Sequence, residues 1–550
     1  MLFAELPPTP PPAIVQSVGY DTRIRLNSIG FLPEAQKQAT VAAPCKEFTV
    51  VRMSDQAVVF SGQASTPFKT AVSDTDETVQ FVDFSAVKAP GRYKVQIAGV
   101  GLSAPFDIGP CVWNLPFEVA SRAMYLWRCG TAVEGTWNGI TYRQKACHLE
   151  DGWMDYAGGG HTKHPTTGGW HDAGDYNKYV VNAAMSIGLM LKAWEQFPDH
   201  VASDSLGIPE SGNHVPDLLD EVRWEVEWLF TMQGDDGRVY HKVSSLNFRY
   251  WGPPDKDDGP RYLTPWSTTA TADFVGTMAE TARAWKAFDT NFSAKCLDAA
   301  KKSWSFLQAH PEQVDADMTA FHTGAYNTKD RSLRLWAAAE LWETTGDAAT
   351  LHDFEKGAQE FSCTFSKGGP GWGDMTDLAF ATYLTSSHPN ERNADIVAQL
   401  TKSLLTRANE IVAVSQNNGY RRPLGVERST WYWGCNGTVA SQTLLLHLAD
   451  KLQPDPAYRA TAQCALDYLF GRNFHSRSYV TGLGALPPLH PHDRRGEPAW
   501  PGYLVGGGWP DGRSWKDDRA RYDLNEIAIN WNAALIYATA AFAEPQPAKQ

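Results

Sequence analysis

Two aspartates three residues apart stand out in the segment "GGWHDAGDYNKYV", residues 168–180. Such a carboxylate pair can act as a general base that holds a water, bind calcium or cap a helix. Capping would account for Asp175, because it precedes an apolar-periodic segment, 176–196, where a helix is predicted. It leaves Asp172 and His171 unexplained, so the three roles remain open at this point.

A second carboxyl group near the C-terminus is a candidate partner for this pair. Glu526 lies in "RYDLNEIAINWNAAL", at the start of the last predicted helix, 525–542. It is either an acidic first-turn residue favoured by the helix dipole or a proton donor that Tyr522, Asp523 and Asn525 can orient. If the helices form a closed ring, the first and last helices meet. We then expect Glu526 to face the aspartate pair across one cleft.

Two thiols and two imidazoles, Cys129, Cys147, His148 and His171, make up the ligand set of a closed tetrahedral zinc site. Their spacing is not that of a zinc finger, so buried cysteines and hydrogen-bonded histidines remain an alternative. The position of His171 directly before Asp172 favours zinc, because a metal there would fix the loop that carries both carboxylates.

Candidate sugar-binding residues lie in loops rich in Gly and Pro. His492 and Arg494, in "YVTGLGALPPLHPHDRR", can donate hydrogen bonds to sugar hydroxyls. Alone, His492 would be interpreted as a structural histidine and Arg494 as a surface charge. The chain has 21 Trp, 20 Tyr and 24 Phe. Several Trp, such as Trp433 in "WYWGC", are flanked by Gly, where flat faces can stack on sugar rings. The aromatic content favours a carbohydrate ligand.

Composition narrows the class of protein further. The 550 residues carry 49 Lys and Arg against 62 Asp and Glu, a net charge of −13, which disfavours nucleic acid or an anionic membrane as partner. The sequence has no apolar run of transmembrane length, and its N-terminus lacks the pattern of a signal peptide. Either a signal has been removed or the protein stays inside the cell. Six of the eight cysteines are interpreted as buried or free thiols, and no disulfide is predicted.

The hydrophobic patterning predicts a Pro-rich arm at 1–20, a small β-sandwich at 21–108 with short alternating runs, and a helical domain at 109–545. About a dozen helices suggest a ring of helical hairpins with long loops gathered at one end as a binding face. The predicted helices are 115–128, 176–196, 216–233, 270–288, 293–309, 332–345, 349–362, 377–385, 393–412, 438–451, 455–470 and 525–542.

Three motifs in matching order, "WHDAGDYNKYV", "YVTGLG…PHDR" and "DLNEIAINWNAAL", resemble those of glycoside hydrolase family 9, the inverting cellulases. The resemblance spans roughly residues 110–545 and implies an (α/α)6 barrel. The preceding sandwich is similar to the immunoglobulin-like domain of one subgroup of that family. This subgroup also has a structural zinc held by two Cys and two His, which correspond here to the four residues named above.

The resemblance assigns roles to the candidate residues. It implies that Asp175 is the catalytic base, that Asp172 holds the nucleophilic water and that Glu526 is the general acid. His492 and Arg494 are then expected to contact substrate. Tyr522 would help to position it, and Trp433 is a candidate substrate contact from the loop pattern.

The resemblance also implies a calcium site, which the acidic run "ESGNHVPDLLDEVRW" together with "TADFVG" resembles. The candidate ligands are Ser211, Gly212, Asp217, Asp220, Glu221 and Asp273. One departure from the family pattern is Asp493, which stands where relatives commonly have a second histidine.

The leading hypothesis for function is a monomeric, secreted or periplasmic endoglucanase that hydrolyses β-1,4-glucans, with neither nucleic acid nor membrane as partner. An alternative is an exo-acting cellobiohydrolase, or a glucosidase or glucosaminidase that acts on short oligosaccharides, in which a long loop such as 241–268 blocks one end of the cleft. A non-catalytic carbohydrate-binding protein is a third hypothesis, which predicts the loss of at least one carboxylate. All three carboxylates are present.

Overall fold

The computed structural model of the protein describes residues 19–248 and 250–545. Residues 1–18, which include most of the predicted Pro-rich arm, lie outside the described residues.

The N-terminal region is a sandwich of two sheets, with strand orders β1-β3-β7-β6 and β2-β10-β8-β4-β5 and with β9 paired to β8. Alternate side chains of these strands point into a common apolar core that includes Phe31, Val50, Phe84, Val95 and Phe106. The strands are β1 (Ile24–Arg25), β2 (Gly30–Phe31), β3 (Gln38–Val41), β4 (Glu47–Arg52), β5 (Val58–Gln63), β6 (Phe68–Lys69), β7 (Thr78–Asp83), β8 (Gly91–Ile97), β9 (Gly101–Leu102) and β10 (Phe106–Ile108).

The rest of the described chain is mainly helical, and each of the twelve predicted helical segments corresponds to a helix whose ends lie within four residues of the prediction. The helices are α1 (Asn114–Leu126), α2 (Val180–Gln196), α3 (Asp217–Thr231), α4 (Thr268–Trp285), α5 (Thr290–Ala309), α6 (Arg331–Thr345), α7 (Ala348–Glu360), α8 (Thr376–Thr385), α9 (Ala394–Gln416), α10 (Cys435–Leu452), α11 (Pro456–Leu469), α12 (Tyr522–Asn525) and α13 (Ile529–Ala540).

The helices form an inner and an outer layer. Helices α2, α4, α6, α8, α10 and α13 are buried on nearly all sides, and α13 packs on both α10 and α2, which closes the ring. Outer helices such as α9 bury only one stripe, which runs from Ile396 through Leu400 and Leu404 to Ile411. This difference arises because an inner helix packs against other inner helices and has an outer helix behind it. Within the described residues, the arrangement is an (α/α)6 barrel.

Short strands and turns connect the helices. Strands β11 (Val133–Trp137) and β12 (Ile140–Gln144) form a hairpin, and β13 (Lys178–Tyr179), β14 (Lys242–Ser244) and β15 (Tyr262–Leu263) form a small antiparallel sheet. Single 3-10 turns occur at Pro254–Lys256 and Arg428–Thr430. None of the described helices has the length and apolar character needed to cross a membrane.

Two local expectations are wrong. Asp175 does not cap α2, because the backbone stays extended through β13, which pairs with β14, and the helix begins only at Val180. Glu526 is not in the final helix but in an extended link between α12 and α13, with φ −69° and ψ 156°. Its backbone carbonyl accepts a hydrogen bond from Gly506 N, so neighbouring loops hold this link out of the helix.

Candidate active site

A cavity of about 820 Å³ opens where the inner helices begin. The loops that precede five inner helices each contribute a side chain to its lining: Asp175 before α2, Tyr326 before α6, Trp372 before α8, Trp433 before α10 and Glu526 before α13. Since the ring brings these helix starts together, residues far apart in the sequence share one site. The cavity is therefore the binding face that the long loops predict.

The two aspartates lie side by side on one wall of this cavity. Asp172 accepts hydrogen bonds from Asn182 Nδ2 at 2.7 Å and from the Tyr326 hydroxyl at 2.8 Å. Asp175 Oδ2 accepts from Asn177 Nδ2 at 2.5 Å and from the Tyr179 hydroxyl at 3.3 Å. Each carboxylate is thus held by one amide and one phenol.

Tyr326 has φ +50°, a left-handed conformation that bulky residues rarely adopt. Its ring contacts those of Tyr179 and Trp372, at centroid distances of 4.8 and 4.9 Å. Strained backbone of this kind persists where the surrounding structure fixes it, and it often lies at functional sites. Here it directs the phenol at Asp172.

Glu526 comes close to the aspartate loop at Gly174. A Cβ atom on residue 174 would lie 2.2 Å from the backbone oxygen of His492 and 3.2 Å from Glu526 Oε1, so only glycine fits. Burial raises the pKa of Glu526 well above its ordinary value, and the charges of Asp175 and Asp172 add to this effect. The surroundings of Glu526 therefore favour its protonated form.

Burial also raises the pKa of both aspartates. For Asp172, burial and the charge of Asp175 raise the pKa to about 8. For Asp175, burial is opposed by the nearby Arg494 guanidinium and by the donors from Asn177 and Tyr179. Each of these groups favours the ionised form of Asp175, so it is the carboxyl whose surroundings suit a base.

A buried lysine, Lys242 in β14, supports the same wall. Its ammonium donates to Gly324 O at 2.6 Å and to Thr323 Oγ1 at 2.9 Å, which fixes the segment that leads to Tyr326. Burial lowers the pKa of Lys242 to about 8, while the charges of the two aspartates oppose this shift.

His492 and Arg494 line the cavity beside these carboxylates. His492 Nδ1 lies 2.7 Å from Arg519 O and donates to it, which leaves Nε2 free to contact a ligand. Arg494 donates to Tyr250 O at 2.9 Å, and its guanidinium lies 5.1 Å from the centre of the Trp251 ring. Arg494 is therefore held by the segment 250–251, and His492 is held by Arg519 O and by an edge-to-face contact with the Trp251 ring.

Asp493 points away from this cluster. Its carboxylate accepts two hydrogen bonds from Arg495 Nε and one from Arg495 Nη2, at 2.7–3.0 Å, and both side chains are about 3% exposed. Asp493, the residue that departs from the family pattern, therefore forms a buried ion pair with Arg495.

Trp433 and Tyr522 form the rim of the cavity. Their rings meet edge to face at a centroid distance of 5.6 Å, and both remain about half exposed. Exposed aromatic faces at the rim of a polar cleft are suited to stacking on sugar rings.

The four predicted zinc ligands come together and are buried. One ligand atom from each of Cys129, Cys147, His148 and His171 lies within 4.8 Å of all the others. Zinc–sulfur bonds of about 2.3 Å and zinc–nitrogen bonds of about 2.0–2.1 Å at tetrahedral angles separate S from N by about 3.5–3.6 Å and two N by about 3.3 Å. The S–N distances here are 3.6 and 3.7 Å, and the N–N distance is 3.3 Å. The geometry therefore fits a tetrahedral metal.

Part of the predicted calcium site also comes together. Asp217 and Asp220 share the first turn of α3, and the charge of Asp217 raises the pKa of Asp220. Burial and like charges raise the pKa of Asp217 to about 6 and of Asp220 to about 7. Ser211 donates to Asp217 at 2.7 Å, and Gly212 follows it in the same loop. This acidic group fits a cation.

The other two calcium candidates are placed differently. Glu221 pairs with Arg128 and accepts a hydrogen bond from Trp170 Nε1. Asp273 is buried in α4, and neither of its carboxylate oxygens has a hydrogen-bond partner among the described residues. Its pKa is raised by burial alone, without a contribution from the α3 carboxylates.

Several residues of the site were not predicted from the sequence: Asn182, Tyr179, Lys242, Tyr326 and Trp372. Trp372 lies in "PGWGD", a Gly-flanked loop of the same kind as that of Trp433, so this pattern could have identified it. Tyr326 has no such signal, because its role depends on a backbone conformation.

Two family patterns match this chain. The pattern described as glycosyl hydrolase family 9 covers residues 115–539, and that of the cellulase N-terminal ig-like domain covers residues 20–101. Endoglucanase D of Acetivibrio thermocellus is 48% identical over 538 residues, which span 96% of this chain and 84% of that protein.

Solved structures have the same architecture. A metagenome-derived glycoside hydrolase family 9 endoglucanase superposes with a TM-score of 0.88 at 34% identity, covering 94% of this chain and 98% of that one. A Zn-binding triple mutant of the family 9 endoglucanase J30 gives 0.87 at 32% identity, covering 94% of this chain and all of that one. The resemblance and fold class inferred from the motifs are confirmed. The chain belongs to glycosyl hydrolase family 9 and is a glycoside hydrolase with an N-terminal immunoglobulin-like domain.

Proposed function

We propose that the protein is an inverting endo-β-1,4-glucanase. The observation that carries this proposal is the meeting of three buried carboxyl groups at one cavity, with Asp172 and Asp175 on one wall and Glu526, whose pKa is raised by burial, beside Gly174. An inverting glycosidase needs an acid and a base that flank the scissile bond, separated by about 6.5–9.5 Å to leave room for a water.

The reaction follows from this arrangement. Asp175 takes a proton from a water that Asp172 helps to orient, and the water oxygen attacks the anomeric carbon. Glu526 gives its proton to the glycosidic oxygen as the bond from that oxygen to the anomeric carbon breaks. One C–O bond forms and one breaks, both carboxyls exchange their protonation states, and proton exchange with solvent restores them.

The polar and aromatic residues around the carboxyl groups suit a neutral sugar chain. His492 Nε2 and the Arg494 guanidinium would donate to sugar hydroxyls, and Trp433 and Tyr522 would stack on sugar rings at the rim. Glu526 also shares a hydrogen bond with the Trp433 side chain, which links the rim to the acid.

Zinc would be held by Cys129, Cys147, His148 and His171, whose ligand atoms already have tetrahedral separations. Burial lowers the pKa of His171 to about 4, which keeps this imidazole neutral as a ligand must be. With no open coordination position, the metal would act as a structural link. Through His171, this four-ligand site would then anchor the loop that carries Asp172 and Asp175.

Calcium is proposed at Ser211, Gly212, Asp217 and Asp220, with Glu221 and Asp273 as further candidates. The clustered carboxylates of the first turn of α3 support this, because a cation would relieve their mutual repulsion. We further propose that the protein is a monomer with domains at 21–108 and 109–545. It would act outside the cytoplasm, where polymeric β-glucans are encountered.

Stereochemistry tests the mechanism directly. Single displacement on a β-linked glucan releases an α-anomer, whereas double displacement, with carboxylates about 5–5.5 Å apart, releases a β-anomer. Proton NMR of the first product, recorded before mutarotation, is expected to detect the α-anomer. Initial accumulation of the β-anomer would refute the roles of Asp175 and Glu526.

Product analysis tests the cleavage pattern. An endoglucanase is expected to release a mixture of chain lengths from cellohexaose and to leave chitosan oligomers intact. Stepwise release of cellobiose or glucose from one end would instead favour the exo-acting alternative, and hydrolysis of chitosan oligomers would favour a glucosaminidase.

A further inference from the structure

A short segment, residues 250–257, lies between the four predicted zinc ligands and the loop that carries the candidate substrate contacts. At its end, Asp257 Oδ2 lies 3.4 Å from Nε2 of His148. At its start, the segment contacts Arg494 and His492, which line the catalytic cavity. The segment therefore connects the zinc cluster to two residues that are expected to bind substrate.

The orientation of His148 decides which nitrogen can bind a metal. Its Nδ1 faces the cluster, at 3.6 Å from Cys129 Sγ and 3.3 Å from His171 Nε2, whereas its Nε2 faces Asp257. A histidine that binds a metal through one ring nitrogen carries its proton on the other. A carboxylate that accepts a hydrogen bond from this N–H fixes the ring and strengthens the metal bond. The Nε2–H group of His148 is thus placed to donate to Asp257.

The other carboxylates around the cluster have different partners. Asp151, which follows His148 in the chain, is paired with Lys178 Nζ at 2.8 Å and with Arg261 Nε at 3.2 Å. Among the ion pairs of the described residues, only Asp257 pairs a carboxylate with one of the four predicted zinc ligands. The outer partner of the cluster is therefore a residue of the segment 250–257.

Internal hydrogen bonds make this segment rigid. Its second half is the 3-10 turn Pro254–Lys256, after which Asp257 N donates to Pro254 O at 3.2 Å. Its first half is closed by the Tyr250 hydroxyl, which donates to Pro253 O at 3.0 Å. A displacement of Asp257 is therefore passed on to the start of the segment.

The start of the segment holds Arg494 from two sides. Arg494 Nη1 donates to Tyr250 O at 2.9 Å, and Gly252 N donates to Arg494 O at 3.0 Å. The Trp251 ring lies between the two candidate substrate contacts, with its centre 5.1 Å from the Arg494 guanidinium and 5.1 Å from the centre of the His492 ring. The positions of Arg494 and His492 therefore depend on this segment.

We propose that Asp257 is a positioning residue. It accepts a hydrogen bond from zinc-bound His148 and thereby fixes the segment 250–257, which places Arg494 and His492 for substrate. The zinc site would then support two loops of the catalytic cavity: the loop of the aspartate pair and, through Asp257, the loop of the substrate contacts. This inference rests on the proposed zinc site and on the proposed function, since Asp257 acts through both.

Asp257→Ala tests the inference with two independent measurements. Competition with a chromogenic chelator should show zinc affinity lowered about tenfold or more, because the metal-bound histidine loses its outer partner. Kinetics on cellohexaose in excess zinc should show KM raised severalfold and kcat within about twofold of the wild type. This split is expected because Arg494 and His492 lose their support while the proton-transfer groups remain in place.

Three further variants serve as controls. Asp257→Asn retains an acceptor oxygen and should restore most of the zinc affinity and of the KM. Asp258→Ala, at the neighbouring exposed carboxylate, is the matched control and should equal the wild type. Tyr176→Phe removes a hydroxyl that donates to Gly252 O at 2.6 Å, a second contact that holds the segment. It should raise KM and leave zinc affinity unchanged, and this test does not require Asp257→Ala to fold.

Unchanged zinc affinity in Asp257→Ala would overturn the inference, and so would a wild type that binds no zinc. An unchanged KM in both Asp257→Ala and Tyr176→Phe would overturn it as well. A fall in kcat at constant KM would also do so, because Asp257 would then act on the catalytic carboxyls. Failure of the wild type to hydrolyse cellohexaose would instead refute the proposed function, and the zinc measurement would still test the contact between Asp257 and His148.

Discussion

Two groups of three carboxyl groups lie near opposite ends of helix α2. Asp172 and Asp175 precede its first residue, Val180, and share a cavity with Glu526, whereas the second group includes Glu195 in its last turn. At a rise of about 1.5 Å per residue, about 20 Å of helix separates them. Both groups contain buried carboxyl side chains, so burial alone does not distinguish a catalytic site from a structural one.

Cations neutralise the second group by direct contact. Lys192 Nζ lies 2.7 Å from Glu195, 2.9 Å from Glu280 and 3.0 Å from Glu340, and Arg283 lies 2.6 Å from Glu340. The ammonium and guanidinium groups fill the space between the carboxylates, and neither of the larger cavities includes these residues. We interpret this group as an ion network that ties α2, α4 and α6 together.

The active-site carboxyls have no such cation. Within residues 19–248 and 250–545, none of the three has a Lys or Arg nitrogen within the 4.0 Å of an ion pair, and the side chains that donate hydrogen bonds to the two aspartates are neutral amides and phenols. They face a cavity where substrate and water can enter. The comparison teaches that a catalytic site needs buried carboxyls that face open space, where substrate and water can exchange protons with them. A raised pKa alone does not mark such a site, because burial also raises the pKa of Glu280 in the ion network.

Substitution of the acid or base should produce the largest effect. We expect Glu526→Gln and Asp175→Asn each to lower kcat on a soluble β-glucan about 10²- to 10⁴-fold, because each removes a proton-transfer group and little volume. Near-normal hydrolysis by either variant would contradict the assignment.

The thermal stability of Glu526→Gln provides a second test of the difference between the two groups of carboxyls. The folded-state pKa of Glu526 is raised, so the folded protein binds this proton more tightly than the unfolded chain and loses stability as pH rises above the ordinary pKa. Glu526→Gln removes this penalty. Its melting temperature at pH 8 should therefore equal or exceed that of the wild type.

Removal of Lys192, the cation at the centre of the second group, should lower stability and leave activity nearly unchanged. This is the opposite of the effect expected for Glu526→Gln. Lys192→Met leaves three carboxylates with Arg283 alone, and we expect the free energy of unfolding to fall by about 3–5 kcal/mol. Denaturant titration measures this loss, and kcat of the folded protein should stay within about twofold. A similar loss of stability in Lys242→Met, whose ammonium contacts no carboxylate of the described residues, would weaken the distinction between the two ends.

Loss of zinc tests whether catalysis requires the loop that carries Asp172 and Asp175 to be held in position. Cys147→Ser should abolish zinc binding, and we expect kcat to fall about tenfold because the loop that carries Asp172 and Asp175 loses its anchor. Metal analysis and steady-state kinetics measure the two effects. Cys296→Ser, at a buried cysteine outside the cluster, is the matched control and should retain zinc. Wild-type protein purified without zinc would contradict the prediction.

The smallest expected effect is a shift of the pH profile. Asp175 acts as the ionised form, so activity is lost as pH falls through its pKa, which burial raises. Tyr179→Phe removes a donor to Asp175 and should raise this pKa further, moving the acid limb of kcat/KM to higher pH by less than about one unit. Tyr537→Phe, in α13 and bonded to Gln196, should leave both limbs in place. An unchanged acid limb in Tyr179→Phe would argue against Asp175 as the base.

Much of the fold could be predicted from local patterns. Apolar residues at helical spacing identified α1 to α11 and α13, because each helix must bury at least one stripe, and alternating runs identified the sandwich strands. Helix starts were less certain, since tertiary pairing can override local preference. The β13–β14 pairing keeps residues 178–179 extended and delays α2. Backbone contacts to Gly506 similarly hold Glu526 out of α13.

The sequence by itself determined the residue types that carry the chemistry: the aspartate pair, the later glutamate and the Cys/His set, which motif order connected to one family. Only the tertiary structure decided which of these residues meet. Ring closure brings Glu526 to Gly174 over more than 350 positions, and the left-handed backbone of Tyr326 directs its phenol to Asp172. Only the folded chain also distinguishes Asp172, Asp175 and Glu526 from Glu195, Glu280 and Glu340. The two groups differ in their access to open space and in their distance to cations, which are properties of packing rather than of local sequence.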